Sequence, residues 1–329
     1  MVWFASEFAS AAPKETLAGI DIVRAGRQWT VHWEAMRRYR RRLRGAFDVV
    51  VDEVNTIPFF TPLWADVPVV MLIHQLAREV WWYESGFPVN VLGFLAEAHF
   101  LRAYRNVPVV TVSASTSRDL RSLGFRGEIS IVPQGLEPIP PTTTLKEREP
   151  MFLYVGRLSP SKRIEHALEA LALFRKATGH GSLTLVGSGP DKYKQSLVRR
   201  VHNMGLESSV TFSGRVSPIE KCRLMASSHC LLVTSVREGW GLVVSEANAV
   251  GIPAIVYDVP GLRDSVRNES TGLIVPPRPS SMANAMLRLS EEPELYVRLA
   301  AEGQRWSSTL SFDTTASRFR EVLAASASK

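Results

Sequence analysis

Cysteine is scarce: Cys222 and Cys230 are the only two in 329 residues, too few for a disulfide framework, so a reducing cytoplasm is the expected compartment. No apolar stretch is long enough to cross a bilayer, and the residues after Met1 lack the pattern of a cleavable signal. The Cys222, His229 and Cys230 grouping has no paired CxxC spacing, which favours helix and strand core over a metal centre. No internal repeat or low-complexity tract stands out. Neither an aromatic-rich sheet nor a recognition-helix motif is present, which argues against nucleic acid.

What is present is an ordinary soluble composition, 45% hydrophobic and 22% charged, at a length that suits two domains. The net charge of +7 and a pI near 9.6 point to an anionic partner surface. Much of the excess lies in "RRYRRRLRG", where Arg37, Arg38, Arg40, Arg41, Arg42 and Arg44 would wrap most of a helix, with Tyr39 and Leu43 anchoring one side. Such a run is either a solvated helix or a contact with the inner face of an anionic membrane.

From residue 151 onward, apolar runs alternate with segments of helical period. The strand candidates are "MFLYVG" (151–156), "LTLVG" (183–187), "VTFSG" (210–214), "CLLVTS" (230–235) and "AIVYD" (254–258). Helices are expected at 163–177 and 218–228, the second opened by Ser217 as cap, Pro218 at the first position and Glu220 completing a capping box. Nearly continuous hydrophobic strands alternating with helices imply a parallel sheet covered on both faces. The first half repeats the pattern more loosely, with candidates at 2–6, 47–53, 67–74, 107–113 and 128–133. The expected organisation is an α/β chain of two Rossmann-like domains facing across a cleft. These are residues 1–137, a linker at 138–150 rich in proline, threonine and charge, residues 151–308, and a helix in 309–329 packing back toward the first domain.

The stretch "REGWGLVVSEANAVGIPAIV" (237–256) carries Glu238 and Glu246 on either side of an apolar run. A strand ending at Ser235 places Glu238 in a loop at the C-terminal edge of the sheet, and Glu246 about one turn into the helix that follows. Gly239 and Gly241 let backbone N–H groups approach a ligand, and the positive helix end adds to an anion site. An acid before that site and another behind it suit a ligand with hydroxyls at both ends and phosphates between, as in a sugar nucleotide.

Glu-x7-Glu in "EGWGLVVSEANAVGIPAIV" resembles the signature of the retaining GT4 glycosyltransferases, which have the GT-B fold. "LYVGRLSPSKRIEHAL" (153–168) resembles the Gly-Arg-Leu…Lys loop of that family, and "LTLVGSGP", "VTFSGRVS" and "VTVSASTSRDL…ISIVPQGLE" match further counterparts. "FDVVVDEVNTIPFFTPLW" and "MLIHQLAREVWW" resemble acceptor-domain strands of one subset. The resemblance implies that Arg157 and Lys162 neutralise the departing diphosphate beside Gly156. It implies that Glu246 holds the ribose hydroxyls, and that Glu238 holds the transferred sugar with the backbone from Gly239 through Trp240 and Gly241 to Leu242. His74 would steady charge at the anomeric carbon, and Gly187 and Gly189 would help shape the donor site. No bound metal is implied: the leaving charge is dispersed by Arg, Lys and helix N–H groups. No Asp-x-Asp motif competes, since Asp52 and Glu53 are adjacent and point to opposite strand faces.

The family pattern begins with a strand, a glycine-rich loop and a long helix. Here Met1 leads at once into "VWFAS", which resembles the second strand, so a truncated first domain with two unpaired inner strand edges is expected. The expected function is retaining transfer of a sugar from a nucleotide-diphosphate-sugar to a glycan, lipid-linked or small-molecule acceptor. A nucleotide-sugar epimerase-like GT-B enzyme and an inactive nucleotide-sugar binder are the alternatives. The rings of "EVWWYESGFP" (79–88) are candidates for stacking on sugar or lipid, or for core.

Overall fold

The computed structural model describes residues 1–137, 139 and 149–328; most of the expected linker, 138–150, lies outside the described residues. The C-terminal half is built on a parallel sheet of six strands: β8 (Met151–Val155), β9 (Ser182–Val186), β10 (Val210–Gly214), β11 (Cys230–Val233), β12 (Ala254–Tyr257) and β13 (Gly272–Val275). Their order is β10-β9-β8-β11-β12-β13. β11 and β12 are buried at every position, because helices cover both sheet faces; this is why they read as unbroken apolar runs. The covering helices include α5 (Ile164–Thr178), α6 (Asp191–Asn203), α7 (Pro218–Ser227), α8 (Leu242–Ala249), α9 (Leu262–Ser265), α10 (Pro279–Glu291) and α11 (Pro293–Ser307). α7 starts as its sequence dictates: the Ser217 hydroxyl accepts the Glu220 N–H at 3.2 Å, and Pro218 occupies the first turn.

The N-terminal half carries β4 (Val50–Glu53), β5 (Val69–Ile73), β6 (Val109–Thr111) and β7 (Ile129–Ile131), a parallel sheet in chain order. Helices α2 (Val80–Glu84), α3 (Val89–Phe100) and α4 (Ala114–Ser122) belong to this half. Met71, Ile73, Leu76, Tyr104, Val109 and Leu120 form its main core. On another face Val70, Val110 and Val132 meet Phe319, Val322 and Leu323 of α12 (Phe312–Ala327), so the last helix returns across the cleft to the first half. A Thr315 hydroxyl donating to the Pro133 carbonyl at 2.8 Å, and a bridge between Leu136 and Ser311, seal that return.

The sequence pattern departs from the structure at two places. The segment at 2–6 does form a strand, β1 (Val2–Ala5), but not within the β4–β7 sheet. It pairs in parallel with β3 (Ile20–Arg24), which pairs antiparallel with β2 (Lys14–Leu17), making a separate three-stranded sheet. Within their sheets β1 and β4 are paired along one edge only. The arginine run is also not one regular helix: α1 (Val31–Arg38) gives way to a π-helical turn at Tyr39–Leu43. Tyr39 is buried and donates its hydroxyl to Asp66, which Arg44 also holds at 2.7 Å, so the backbone rewinds to seat that ring.

Candidate active site

In the C-terminal sheet, the loops that leave the C-terminal ends of β8 and β11 meet at the cleft. After β8 come Gly156 and Arg157, then a 3-10 turn at Pro160–Lys162 and the start of α5. Arg163 stands at φ 48° and sends its guanidinium to the carbonyls of Thr234 (2.9 Å) and Ser235 (2.8 Å), at the end of β11. The Thr234 hydroxyl donates to the Lys162 carbonyl at 2.8 Å. The two loops are thereby one rigid unit, and Lys162 Nζ lies 2.5 Å from Glu238 Oε1, which also accepts the Ser235 hydroxyl at 2.6 Å.

The glycines explain how the backbones come so close. A Cβ on Gly187 would lie 1.8 Å from the Gly156 carbonyl oxygen, and one on Gly189 equally close to that of Leu158, so the β9 loop packs directly beneath the β8 loop. Gly241, at φ +88°, turns the chain into α8. Gly239 abuts the other half: a Cβ there would stand 3.0 Å from the carbonyl oxygen of His74. Trp240 is buried with Val112 and Leu310, and its indole N–H donates to Ser245 at 3.0 Å. Its side chain therefore joins the two halves by packing, which leaves its backbone as the part of Trp240 at the turn.

Glu246 sits a turn into α8, held at 2.8 Å by Lys221 of α7. Both line a cavity of 430 Å³ with Leu136, Glu137, Ile219 and Leu242. Glu246 thus faces the cavity at the crossing between the halves, while Glu238 lies beside Lys162 at the other end of the turn. His74 follows β5 and its ring remains exposed to the cleft, with Nε2 3.9 Å from Glu53 Oε1. Its backbone is fixed by the Thr116 hydroxyl, which donates to the His74 carbonyl at 3.2 Å. The buried Glu97 accepts the N–H groups of Ala77 (2.5 Å) and Arg78 (2.9 Å), holding the loop just after it. Burial raises the Glu97 carboxyl above its ordinary pKa, more than those bonds and Arg78 lower it.

Several residues that join the two halves at the cleft sit outside the sequence motifs. Glu84, at the end of α2, reaches across the cleft: Oε1 accepts the Ser161 N–H at 3.3 Å and the Ser161 hydroxyl, and lies 3.7 Å from Arg157 Nη2. Burial raises its pKa, but the Ser161 and Ser159 hydrogen bonds and the Arg157 charge outweigh that, leaving the carboxyl below its ordinary value. A carboxylate from the first half thus occupies the cradle of N–H group and guanidinium that the second half presents. Arg237 is the second crossing group. Its side chain is 4% exposed and holds Glu79 at 2.8 Å and Asp119 at 2.5 Å, both from the first half. Asp264 adds a third crossing by accepting the Ser115 N–H at 3.1 Å. No local pattern marks these partners; Arg237 alone carried a hint, as a buried neighbour of Glu238.

Asp52 lies apart from the cradle. It is buried and accepts the Thr61 hydroxyl (2.7 Å), the Thr61 N–H (3.3 Å) and the Tyr104 hydroxyl, so it is consumed in shaping the loop after β4. Among the described residues, no group of three or more His, Cys, Asp or Glu could hold a metal ion.

Two parallel α/β halves with their loops converging on a cleft are the GT-B architecture. The chain belongs to the group 1 glycosyl transferases: the model of that family, "Glycosyl transferases group 1", matches residues 137–306. It is 33% identical over 181 residues to the D-inositol 3-phosphate glycosyltransferase of Rhodococcus opacus, a match that covers 53% of this chain and 41% of the relative. The chain spans about half the length of the curated relatives it matches. Sucrose-phosphate synthase from Thermosynechococcus elongatus superposes with a TM-score of 0.79 at 22% identity, over 99% of this chain and 89% of that one. Anabaena HepE in complex with UDP-glucose superposes at 0.73 and 17% identity, over 93% and 86%. These likenesses concern the fold.

Proposed function

We propose that the chain is a retaining glycosyltransferase that takes a sugar from a nucleotide-diphosphate-sugar and places it on a hydroxyl of a glycan, lipid-linked or small-molecule acceptor. One observation carries the reading: Glu238 and Glu246 flank the Gly239–Leu242 turn and the first turn of α8, each already held by a lysine, while Arg157 and the Ser161 N–H, on the loop that carries Lys162, converge on a carboxylate, that of Glu84. Hydroxyl-binding acids flank a cationic cradle. HepE has been crystallised with UDP-glucose, and the same ligand class suits this spacing.

In the proposed reaction the bond between the anomeric carbon and the diphosphate oxygen breaks, and its electron pair stays on the diphosphate. Arg157 and Lys162 neutralise that charge, Arg157 by a fork and Lys162 as a point charge. The acceptor oxygen forms its bond to the anomeric carbon from the same face, and its proton passes to the departing phosphate oxygen. Glu238 orients the transferred sugar, Glu246 the ribose, and His74 faces the anomeric carbon from the opposite wall. Charge dispersal by these groups makes a divalent ion unnecessary, so turnover is expected to persist in chelator. The arginine run 37–44 precedes β4, at the end of the sheet opposite His74. Its proposed contact with the inner face of an anionic membrane would therefore leave the cleft facing away from the lipid.

The test is release of nucleoside diphosphate in the presence and absence of acceptor. Acceptor-dependent release with retained anomeric configuration is expected. Acceptor-independent conversion of the free sugar nucleotide would replace this reading with an epimerase, and binding without turnover would replace it with a binder.

A further inference from the structure

The end of the N-terminal sheet opposite the cleft carries a second basic site. The segments that enter β6 and β7 are tied together there. The Arg105 carbonyl accepts both the Arg126 N–H (2.7 Å) and the Gly127 N–H (3.0 Å). Arg121 braces the same turn by donating to the carbonyls of Phe125 and Gly127, each at 2.9 Å. Between these segments lies a cavity of 360 Å³ lined by Arg102, Arg105, Asn106, Gly124, Phe125 and Arg126. Phe125 is buried and forms the floor. Gly124, at φ +84°, leaves room for the Arg105 guanidinium, whose Cζ would lie 3.4 Å from a Cβ at that position.

Three guanidinium groups face one cavity, and among the described residues none of the three is in an ion pair. Glu128, the acid nearest in sequence, makes no ion pair either. Like charges gathered without a counter-charge repel one another, and a multi-oxygen anion relieves that repulsion while accepting forked hydrogen bonds from each. The arginine run 37–44 lies at the same end of this sheet. The arginine run ends just before β4, and β4 and β6 are two strand spacings apart, about 10 Å.

From this we infer a phosphate-ester site at the cleft-distal edge, formed by Arg102, Arg105 and Arg126, separate from the donor cradle and independent of what the cleft binds. Its ligand is a phosphate group presented either by a lipid headgroup or by a soluble phosphate ester. Three guanidinium groups can share the several oxygens of a tetrahedral dianion, whereas a neutral sugar leaves their charge unmet.

Two variants of equal charge loss separate a built pocket from a merely basic surface: R102Q/R126Q within the cavity and R40Q/R41Q on the neighbouring run. Inorganic pyrophosphate is titrated calorimetrically into the full chain. In parallel, the chain is sedimented with phosphatidylcholine vesicles with and without phosphatidylglycerol. The pocket variant is expected to lose one pyrophosphate site or to weaken it about tenfold, with R40Q/R41Q within about twofold of wild type. If instead only sedimentation with phosphatidylglycerol vesicles falls, and falls more in R102Q/R126Q than in R40Q/R41Q, the ligand is a lipid phosphate. Both altered side chains are exposed, so unchanged melting is expected, and R102K/R126K, which keeps charge but removes the forks, provides a second variant should the first not fold. Equal behaviour of the two charge-matched variants in both arms overturns the site.

Discussion

Among the described residues, the ion pairs that cross the cleft all run one way. The C-terminal wall supplies their cations, Arg157 and Arg237, with Lys162 nearby holding Glu238 of its own wall, while the N-terminal wall supplies the acids Glu79, Glu84 and Asp119. The walls also differ in what supports them. The cationic wall stands on a six-stranded sheet with a continuous core, and the acidic wall on four short strands and the helix pair α2 and α3. Complementary charge therefore draws the less supported wall onto the more rigid one. A phosphate-bearing ligand competes with carboxylates of the molecule itself for the same cations.

Removing a cation from the rigid wall is expected to have the largest effect. Lys162→Ala leaves Glu238 without its 2.5 Å partner and the departing diphosphate without a neutralising charge. A fall in kcat of about a hundredfold or more is expected in steady-state assays. A K162A enzyme within a few fold of wild type would mean that the sign difference between the walls has no catalytic consequence.

Arg237→Met addresses the clasp rather than the cradle. It leaves Glu79 and Asp119 without their cation, but both carboxylates keep water contact, so a loss of about 2 kcal/mol is expected from urea unfolding, less than for a wholly buried pair. The pH dependence sharpens this. Burial raises the Glu79 pKa, but the Arg237 hydrogen bond and charge outweigh it and leave the carboxyl below its reference of 4.5. With the folded value depressed, the clasp contributes stability above pH 4.5 and loses it as pH falls through the folded value. Wild type should therefore show a steeper acid limb of stability than R237M, and parallel limbs would remove the clasp from the account of domain closure.

The smallest effect is expected at Glu84. Glu84→Gln removes the internal competitor for Arg157 and Ser161 while keeping a hydrogen-bond acceptor. Nucleoside diphosphate should then bind about threefold tighter, the modest figure reflecting a part-exposed pair at 3.7 Å. Weaker binding in E84Q would show instead that the carboxylate helps to build the cradle.

The rigid half was legible in the sequence because strands buried on both faces must be apolar throughout; each predicted strand there lies within two residues of the observed one. β13 was missed: it opens on a glycine and, at the edge of the sheet, is only half-buried at its last two positions, so it lacks the unbroken apolar run of its neighbours. β2 (KETL) is exposed at every position, and with no face to bury it had no apolar pattern to betray it. The motif residues of the C-terminal wall could be read from local spacing, since Gly156, Arg157, Lys162 and Glu238 follow recognisable strands and Glu246 lies in the helix after one of them. Their partners could not. Glu84 meets Ser161 across 77 residues and Arg237 meets Glu79 across 158, and such pairings exist only once the halves are folded against each other. The burial of the Trp240 ring against Val112 of the first half was hidden from the sequence for the same reason.

One titration bears on the cleft most directly. UDP is injected into wild type, R157A and E246A in a calorimeter, with circular dichroism to show that each is folded. Saturable binding to wild type is expected, weakened about tenfold or more by each substitution because each removes a charge-assisted contact at one end of the ligand. Equal affinity in all three proteins would contradict a donor held between the two acids and the cationic cradle.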